Sequence, residues 1–137
     1  MKWRSVWLVP VLLGTMVHAE DLAPPTLAKI LKLVLTDAKE PSIACSDPLL
    51  KFELTKLGVR MDPEARIVWV RTPQEIAKFA GTSRLTICGQ VSDLKNGVIV
   101  ALVGEGGRGV FYINRANATS NKVTIPSALT QLGKVVQ

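Results

Sequence analysis

The sequence predicts an α/β sandwich built as a single domain, because strand-like and helix-like segments alternate from residue 26 onward. Three short apolar runs, at residues 42–45, 66–71 and 85–88, have the composition of buried strands. The stretches between them carry apolar residues at helical spacing and begin with helix-capping residues. Strands separated by helices pair in parallel through right-handed crossovers, so we expect helices on both faces of a mostly parallel sheet.

The predicted helices have recognisable starts and stops. The first, within residues 26–36, carries a broad apolar face. The second begins with Asp47 as N-cap and Pro48 at the first helical position. The third begins with a capping box, Thr-Pro-Gln-Glu at residues 72–75, and ends at Gly81.

The last part of the chain predicts a β-hairpin followed by a helix. Residues 98–103 and 108–113 are both strand-like, and only Gly-Glu-Gly-Gly separates them, which suits an antiparallel hairpin. Residues 126–136 then carry three apolar residues on one helical face: Leu129, Leu132 and Val136. The predicted fold is therefore a small three-layer α/β sandwich with a mostly parallel sheet, ending in an antiparallel β-hairpin and a C-terminal helix.

Residues 1–19 predict a cleavable secretory signal peptide. A short basic start leads into the apolar run at residues 6–17, and small residues stand at the two positions that signal peptidase reads. A retained membrane anchor is the alternative, but a spanning helix needs roughly 20 apolar residues and this run is shorter. We therefore expect cleavage after Ala19, export of the chain, and one working domain at residues 20–137.

Cleavage restricts the chemistry that remains available. His18 is the only histidine of the sequence and lies in the predicted signal peptide. Its loss excludes, within one chain, a Ser-His-Asp triad, a Cys-His pair and a histidine metal site. Removal of Lys2 and Arg4 lowers the basic count from 17 to 15 against 11 acidic residues, so the net charge falls from +6 to +4.

The other residue types give no sign of catalysis either. The carboxylates fall in predicted loops or on exposed faces, and no pair stands out as an acid and a base. No group of side chains has metal-ligand spacing, and the basic residues are scattered instead of forming the run that nucleic-acid binding favours. We expect a protein that is not an enzyme, needs no cofactor and does not bind nucleic acid.

Two cysteines, Cys45 and Cys88, stand at the ends of two predicted parallel strands. An exported chain permits oxidation, so a Cys45–Cys88 disulfide is expected if the two strands are neighbours or near-neighbours. The alternative is two separate buried thiols that act as small core residues. The sequence favours the bridge but leaves the strand order open.

The carboxyl ends of the predicted strands offer one ligand-binding edge, at Ser46, Thr72 and Gly89. Free backbone N–H groups at helix starts bind anions, and in open α/β sheets ligands bind at this edge. The same positions suit structural capping, which is the more frequent role of such residues.

Asn114 and Trp69 each have two interpretations. Asn114 follows the last predicted strand, where it either orients a ligand or ties down a turn, and the turn is favoured. Trp69 lies in the middle of a predicted strand, and a core position is favoured over an interaction anchor.

From residue 85 onward the sequence follows an ordered pattern. It has a Leu-Thr-Ile strand, a glycine-led strand, a hairpin, a strand ending Phe-x-Ile-Asn, an alanine four residues later, and a closing leucine-containing segment. The positions of the pattern that follow the hairpin turn are Phe111, Ile113, Asn114, Ala118, Ile125, Ser127, Leu129 and Leu132. This pattern resembles the C-terminal half of the YfiR/HmsC-like family of periplasmic proteins.

The resemblance implies a function that composition and spacing do not supply. It implies a small Rossmann-like regulator that acts by protein contact on the periplasmic sensor part of a membrane-bound diguanylate cyclase, lowering cyclic di-GMP output and biofilm formation. The alternative is a periplasmic small-ligand-binding protein that resembles half of a solute-binding domain, with its ligand near Ser46, Thr72 and Gly89. The sequence leaves a homodimer open.

Overall fold

The computed structural model describes residues 21–136, so the predicted signal peptide at residues 1–19 lies outside the described part. In chain order the elements are α1 (Pro24–Ala38), β1 (Ser42–Ile43), α2 (Pro48–Lys56), β2 (Arg60–Met61), β3 (Ile67–Trp69), α3 (Pro73–Phe79), β4 (Leu85–Cys88), a 3-10 helix (Val91–Asn96), β5 (Val100–Glu105), β6 (Arg108–Asn114), α4 (Arg115–Ser120), α5 (Ser127–Leu132) and β7 (Lys134–Val136). Within these residues, no helix has the length and apolarity needed to cross a bilayer.

The strands lie side by side in the order β2-β1-β3-β4-β5-β6-β7, as a two-stranded and a five-stranded sheet that a single bridge joins. Five strands, β3 to β7, make a continuous ladder, and β1 pairs with β2. An isolated parallel bridge between Ala44 and Val68 joins the two parts, with hydrogen bonds to the backbone oxygen of Ile67 and from the backbone nitrogen of Trp69. Every pairing is parallel except that of β5 with β6, so the predicted mostly parallel sheet is confirmed.

Alternate side chains of the central strands enter two hydrophobic cores on opposite faces of the sheet. In β3, Ile67 and Trp69 belong to the first core, whereas Val68 belongs to the second. In β4, Ile87 lies in the first core and Cys88 in the second. Strands that are buried on both faces have continuous apolar sequences, and for this reason the sequence predicts β3 and β4 as strands.

Helices cover both faces of the sheet, which confirms the predicted three layers. Buried side chains of α1, α2 and α5 enter the first core, and α1 packs against both α2 and α5. On the opposite face, Ile76 of α3 and Leu94 of the 3-10 helix enter the second core. A hydrogen bond from the backbone nitrogen of Ala128 to Asp37 Oδ2, 3.1 Å long, ties α5 to the end of α1.

The predicted antiparallel hairpin is confirmed. Strands β5 and β6 pair from Val100–Ile113 to Glu105–Arg108. The turn between them consists of Gly106 and Gly107, whose φ angles of 59° and 79° are strained for any residue with a side chain. Two-residue hairpin turns need this left-handed backbone, because it matches the twist of the flanking strands.

The prediction of a terminal helix through Val136 is only partly correct. Helix α5 ends at Leu132, and residues after Gly133 form β7, which pairs in parallel with β6. Leu129 is fully buried, but Leu132 is 71% exposed and Val136 packs against the second core from a strand. The three residues therefore do not share one helical face, because the chain leaves the helix to extend the sheet.

A polar cluster holds the end of the chain on the sheet edge. Tyr112 Oη of β6 donates a hydrogen bond to Glu105 Oε2 of β5, and Lys134 Nζ of β7 lies 3.6 Å from Glu105 Oε1. The Lys134 ammonium also lies 5.4 Å from the centre of the Tyr112 ring. The hydrogen bond to Glu105 raises the pKa of Tyr112, since it favours the protonated phenol.

The predicted Cys45–Cys88 disulfide is wrong, because both cysteines are free thiols in the structure. Strand β3 lies between β1 and β4, so the two cysteines are separated by two strand spacings, about 9–10 Å. A disulfide requires Cα atoms within about 7 Å. The two residues also pack against different cores, Cys45 against the first and Cys88 in the second.

Each thiol is instead a local hydrogen-bond donor. Cys45 Sγ lies 3.8 Å from the backbone oxygen of Asp47, and Cys88 Sγ lies 3.2 Å from that of Gln90. Burial raises the pKa of Cys45 to about 11 and that of Cys88 to about 12. Both side chains are therefore neutral thiols near pH 7, a state that is unreactive toward oxidation and alkylation.

Alkylation tests directly whether Cys45 and Cys88 are free, buried thiols. We expect the mature protein, purified without reductant and unfolded in denaturant, to take up two alkyl groups per chain, whereas the folded protein reacts slowly. Intact mass spectrometry provides the count. A mass that shows no alkylation until a reductant is added would establish the bridge and contradict the strand order.

The turn from α5 into β7 predicts a specific requirement for glycine. A Cβ added at Gly133 would collide with Ile113 Cδ1 and lie 2.6 Å from the backbone oxygen of Leu129, which cannot move without distorting the helix. We expect Gly133→Ala to lower the free energy of unfolding by about 1–3 kcal/mol, as overpacking does. Urea denaturation measures the change.

Gly89→Ala is the matched control, because its added methyl group would meet only an ordinary contact of 3.4 Å with the Trp69 ring. That change should shift the free energy of unfolding by no more than about 0.5 kcal/mol. Equal stability of the Gly133→Ala variant and the wild type would show that β7 does not dock as described.

Candidate functional site at the carboxyl edge of the sheet

Three strand ends meet at one edge of the sheet because β1, β3 and β4 run parallel as neighbours. The residues that follow them are 45–47, 70–72 and 89–90, and each segment leads into a helix. Ligands of open α/β sheets bind at this edge, so its side chains are the natural candidates for function.

The first helix start, that of α2, is occupied by the protein's own carboxylate. Asp47 Oδ1 accepts a hydrogen bond of 3.2 Å from the backbone nitrogen of Leu49, which confirms the predicted N-cap. Asp47 Oδ2 lies 3.3 Å from Arg71 Nη1, a residue of the neighbouring strand end. The positive end of α2 therefore already has a negative charge, and Arg71 balances that charge.

The second helix start, that of α3, is occupied in the same way. Thr72 Oγ1 accepts from the backbone nitrogen of Glu75 at 3.1 Å, and Glu75 Oε1 accepts from the backbone nitrogens of Arg71 and Thr72 at 2.8 and 3.1 Å. The predicted capping box is thus confirmed. Ser46 Oγ of the first segment donates to Glu75 Oε2.

These contacts set the charge of Glu75. Burial alone would raise its pKa, but hydrogen bonds from Ser46 and from the backbone of Arg71 and Thr72 outweigh burial and lower the pKa below its ordinary value. The structure therefore brings Ser46 and Thr72 together around one ionised carboxylate, where both serve capping. Gly89, the third position of the predicted ligand edge, lies apart from this network beside an open cavity.

The cavity beside Gly89 has a volume of about 270 Å³. Apolar side chains of both α-helices and strands form much of its wall, among them Leu27, Leu50, Trp69 and Leu102. Its charged and polar lining consists of Asp21, Asp47, Arg71, Gln90 and Asp93. An apolar wall with a few polar groups is the usual make-up of a small-molecule site.

Trp69 is the one buried polar group of this region that lacks a partner. The side chain is 6% exposed, and its Nε1 has no hydrogen-bond partner among residues 21–136. A Cβ built on Gly89 would lie 3.4 Å from Cη2 and 3.7 Å from Cζ2 of the Trp69 ring. The favoured core position of Trp69 is confirmed. A buried donor without a hydrogen-bond partner costs free energy, so the indole N–H is an unusual feature of this core.

A second, larger cavity of about 610 Å³ lies on the α3 side of the same edge. Charges of both signs line it, including Lys51, Glu75, Lys78 and Arg84. Arg84 is held by the backbone oxygen of Pro63 at 2.9 Å and by Glu64 at 3.2 Å. No group of three or more His, Cys, Asp or Glu side chains suitable for a metal ion occurs within the described part of the chain.

The residues of the C-terminal sequence pattern have structural roles. Phe111, Ile113, Ala118 and Leu129 are buried in the first core, and Ile125 packs against it. The remaining two positions and the exposed Leu132 lie at helix boundaries: Asn114, Ser127 and Leu132.

The interpretation of Asn114 as a turn residue is confirmed. Its side chain caps α4 by accepting from the backbone nitrogen of Asn117 at 3.0 Å. Asn117 itself was missed by the sequence analysis: its Nδ2 donates to the backbone oxygens of Leu94 and Val98 at 2.8 and 2.9 Å. An asparagine in a polar turn gives no sequence signal of such a long-range role.

Substitutions of Glu75 test whether side chains of the protein cap the helix starts at this edge. Glu75→Ala removes three hydrogen bonds at the start of α3, so we expect a loss of about 1–2 kcal/mol in the free energy of unfolding at pH 7. Glu75→Gln preserves the capping geometry without the charge and should lose less.

The pH dependence of stability distinguishes the effect of the Glu75 charge from that of its capping geometry. Because the folded pKa of Glu75 is below the unfolded value of about 4.3, its ionised form stabilises the fold above that pH, and this contribution is lost as pH falls through the folded pKa. The stability difference between wild type and Glu75→Gln should therefore shrink in acid, as measured by urea denaturation at several pH values. A constant difference down to acid pH would contradict the assigned role.

The comparisons with known proteins address the fold and the family. The chain is similar to the crystal structure of a conserved domain protein from Vibrio cholerae O1 biovar El Tor, with 14% sequence identity and a TM-score of 0.58. The match covers 85% of this chain and 61% of that protein, and at this identity it shows a shared fold alone. A search of curated proteins gives no significant match.

A family model described as YfiR/HmsC-like matches residues 66–134, which extend from the start of β3 into β7. The match covers half of the chain and reaches further toward the N-terminus than the pattern recognised from residue 85. That family consists of periplasmic regulators and not of enzymes. The chain therefore belongs to the YfiR/HmsC-like family.

Proposed function

We propose that this chain is an exported, non-catalytic periplasmic protein that regulates a membrane-bound diguanylate cyclase by contact with its periplasmic sensor part. Contact lowers the output of cyclic di-GMP and hence biofilm formation. Membership of a family of periplasmic regulators supports this function, as does the N-terminal sequence, which has the features of a secretory signal.

The observation that carries the proposal is an apolar outer surface on one helical layer. Four large apolar side chains there are 60–71% exposed; we call them the helical face: Leu33 of α1, Leu49 and Phe52 of α2, and Leu132 of α5. Since α1 packs against both α2 and α5, these residues belong to one layer. Large apolar side chains exposed on one helical layer suit a site of protein interaction.

The charge of the helical face indicates the chemistry of its partner. Lys29 is exposed on α1, and Lys56 of α2 lies over the Phe52 ring at 5.0 Å while pairing with Glu53 at 3.3 Å. Lys32 reaches across from α1 to the backbone oxygen of Leu57 at 3.0 Å. An apolar surface with lysines fits an apolar surface with carboxylates, because charge complementarity favours the encounter.

The lysines of the helical face also disfavour a homodimer formed through this face. Two copies joined through this face would bring the exposed Lys29 and Lys56 of both copies into one interface. Like charges at an interface are costly, so the helical face suits a different protein better than a second copy.

A small-ligand carrier remains the alternative function. It has in its favour the 270 Å³ cavity with the buried Trp69 indole. However, the two helix starts at Ser46 and Thr72, where an anionic ligand would bind, carry Asp47 and Glu75. The function of carrying an anionic ligand is therefore less well supported than the function of a regulator.

A genetic complementation experiment tests the regulator. Deletion of the gene should raise cyclic di-GMP in a strain that expresses it, and the wild-type gene should restore the lower level. Leu33→Ser with Phe52→Ser should fail to restore it, because two interface anchors of about 1–2 kcal/mol each weaken binding by roughly 30-fold or more. Both side chains are largely exposed, so the folded state should lose little stability.

Ala77→Ser is the control, since Ala77 is exposed on α3 in the opposite helical layer. This variant should restore the low cyclic di-GMP level, and melting temperatures of all variants should be similar. Unchanged cyclic di-GMP on deletion, or full complementation by the double variant, would contradict the proposal.

A further inference from the structure

We propose that the edge of the sheet where β3 and β4 begin binds the phosphate groups of anionic membrane lipids. Arg66, Arg84 and Lys78 form the centre of this surface, which we call the basic edge, and Lys122 extends it. The basic edge shares no residue with the helical face. The inference is therefore independent of the proposed contact with a cyclase and goes beyond it.

The register of the sheet places two arginines, Arg66 and Arg84, side by side. Each immediately precedes a strand, and the first residues of the two strands, Ile67 and Leu85, are partners in the parallel pairing of β3 with β4. The backbone nitrogen of Leu85 donates to the backbone oxygen of Arg66 at 2.8 Å, so the pairing continues up to the arginines. Like charges held on neighbouring strands repel each other, and an anion bound between them removes that repulsion.

Both arginines line one cavity of about 440 Å³, together with Lys78 of α3. Among the residues that line this cavity, Glu64 is the one carboxylate. Glu64 Oε1 lies 3.2 Å from Arg84 Nη2, but the Glu64 side chain is 84% exposed, so this ion pair is weak. Three cations against one carboxylate leave an excess of positive charge that a phosphate group would balance.

Two of the three cations are available to a ligand, and an aromatic ring holds the third beside them. Arg66 and Lys78 are exposed, and neither has an ion-pair partner among residues 21–136. The centre of the Phe79 ring lies 5.1 Å from Lys78 Nζ and 5.4 Å from Arg84 Cζ. Arg84 Nη1 also donates to the backbone oxygen of Pro63 at 2.9 Å, which fixes the guanidinium at the cavity.

The distribution of the cations favours a membrane surface over a single soluble phosphate ester. A cavity of about 280 Å³ adjoins the first, since Arg66 and Ser83 line both, and it adds Lys122, with Glu40 as its carboxylate. Phe79 is the one large apolar side chain that lines the first cavity, so the carbon skeleton of an ester would find little surface to pack against. Several cations along one edge instead match the many phosphates of an anionic bilayer, where each basic residue adds affinity.

The opposite edge of the sheet carries the opposite charge. The cavity beside Gly89 is lined by three aspartates and one arginine. An anionic bilayer therefore attracts the basic edge and repels the carboxyl edge, which sets one orientation of the protein. The helical face covers one face of the sheet and stays accessible in that orientation to a partner in the same membrane.

Sedimentation with lipid vesicles tests the basic edge on the mature protein, residues 20–137. We expect vesicles of phosphatidylglycerol and phosphatidylcholine in equal parts to bind the protein at least about tenfold more tightly than vesicles of phosphatidylcholine alone. Added salt should release the protein, because salt screens the charges. Equal binding to both kinds of vesicle would overturn the proposal.

Two double variants locate the binding surface. Arg66→Gln with Lys78→Gln should weaken binding to the phosphatidylglycerol vesicles about 30-fold, as expected for loss of two basic residues. The melting temperature of this variant should equal or exceed that of the wild type, because the substitution relieves the repulsion between Arg66 and Arg84. Lys95→Gln with Arg108→Gln is the matched control, since it removes the same two residue types from exposed positions that line neither cavity. Equal loss of binding by the two double variants would show that net charge alone matters and would overturn the site.

Glycerol 3-phosphate distinguishes a lipid headgroup from a free phosphate. We expect it to leave the melting temperature unchanged at millimolar concentration. A higher melting temperature that is lost in Arg66→Gln with Lys78→Gln, without binding to vesicles, would mean that the site takes a soluble phosphate and that the lipid is the wrong ligand. Any of these failures leaves the regulation of cyclic di-GMP untouched, since the vesicles contain no cyclase and that contact uses the helical face.

Discussion

Parallel pairing of β3 between β1 and β4 is the constraint on which the rest of the molecule depends. It aligns three strand ends at one edge, so that Ser46 reaches Glu75 and Asp47 reaches Arg71 across neighbouring segments. It also divides alternate side chains of each strand between two cores. The separation of Cys45 from Cys88 follows from the same order, because β3 occupies the position where the two strands would otherwise meet.

Self-capping gives this edge a character unusual for its fold. Rossmann-like proteins commonly present free helix starts to phosphate groups. Here Asp47 and Glu75 supply the negative charge internally, and hydrogen bonds hold Glu75 ionised by lowering its pKa. Side chains of the protein thereby occupy both helix starts, and the cavity lined by Trp69 and Gly89 lies beside them.

Local signals in the sequence predicted much of the fold. Asp47-Pro48 and the capping box at residues 72–75 encode their helix starts within four residues, and both are present in the structure. The failures involve long-range pairing. Strand β2 has two residues, and β7 has three residues that follow a glycine, so neither is long enough to show strand periodicity.

The candidate site was harder to predict for a similar reason. Ser46, Thr72 and Gly89 were correctly placed at one edge, because the alternation of strands and helices implies parallel pairing. Which of them would be engaged in capping depended on contacts between segments about 30 residues apart, as for Ser46 and Glu75. The unpartnered Trp69 nitrogen is a property of packing alone and has no counterpart in the sequence.

The family pattern and the proposed contact surface lie largely in different parts of the chain. Residues 66–134 match the family model and supply core and capping positions, whereas Leu33, Leu49 and Phe52 precede this range. The residues that the family model matches therefore belong to the scaffold, and the surface that we propose contacts a partner is mostly carried by α1 and α2.

Site-specific photocrosslinking in living cells tests this account most directly. A photoreactive residue in place of Phe52 should form a crosslink to a membrane protein that mass spectrometry identifies as containing a diguanylate cyclase domain. The same residue in place of Ala77, on the opposite layer, should not form that crosslink. Absence of the cyclase from the Phe52 crosslinks, or equal crosslinking from both positions, would contradict regulation through the helical face.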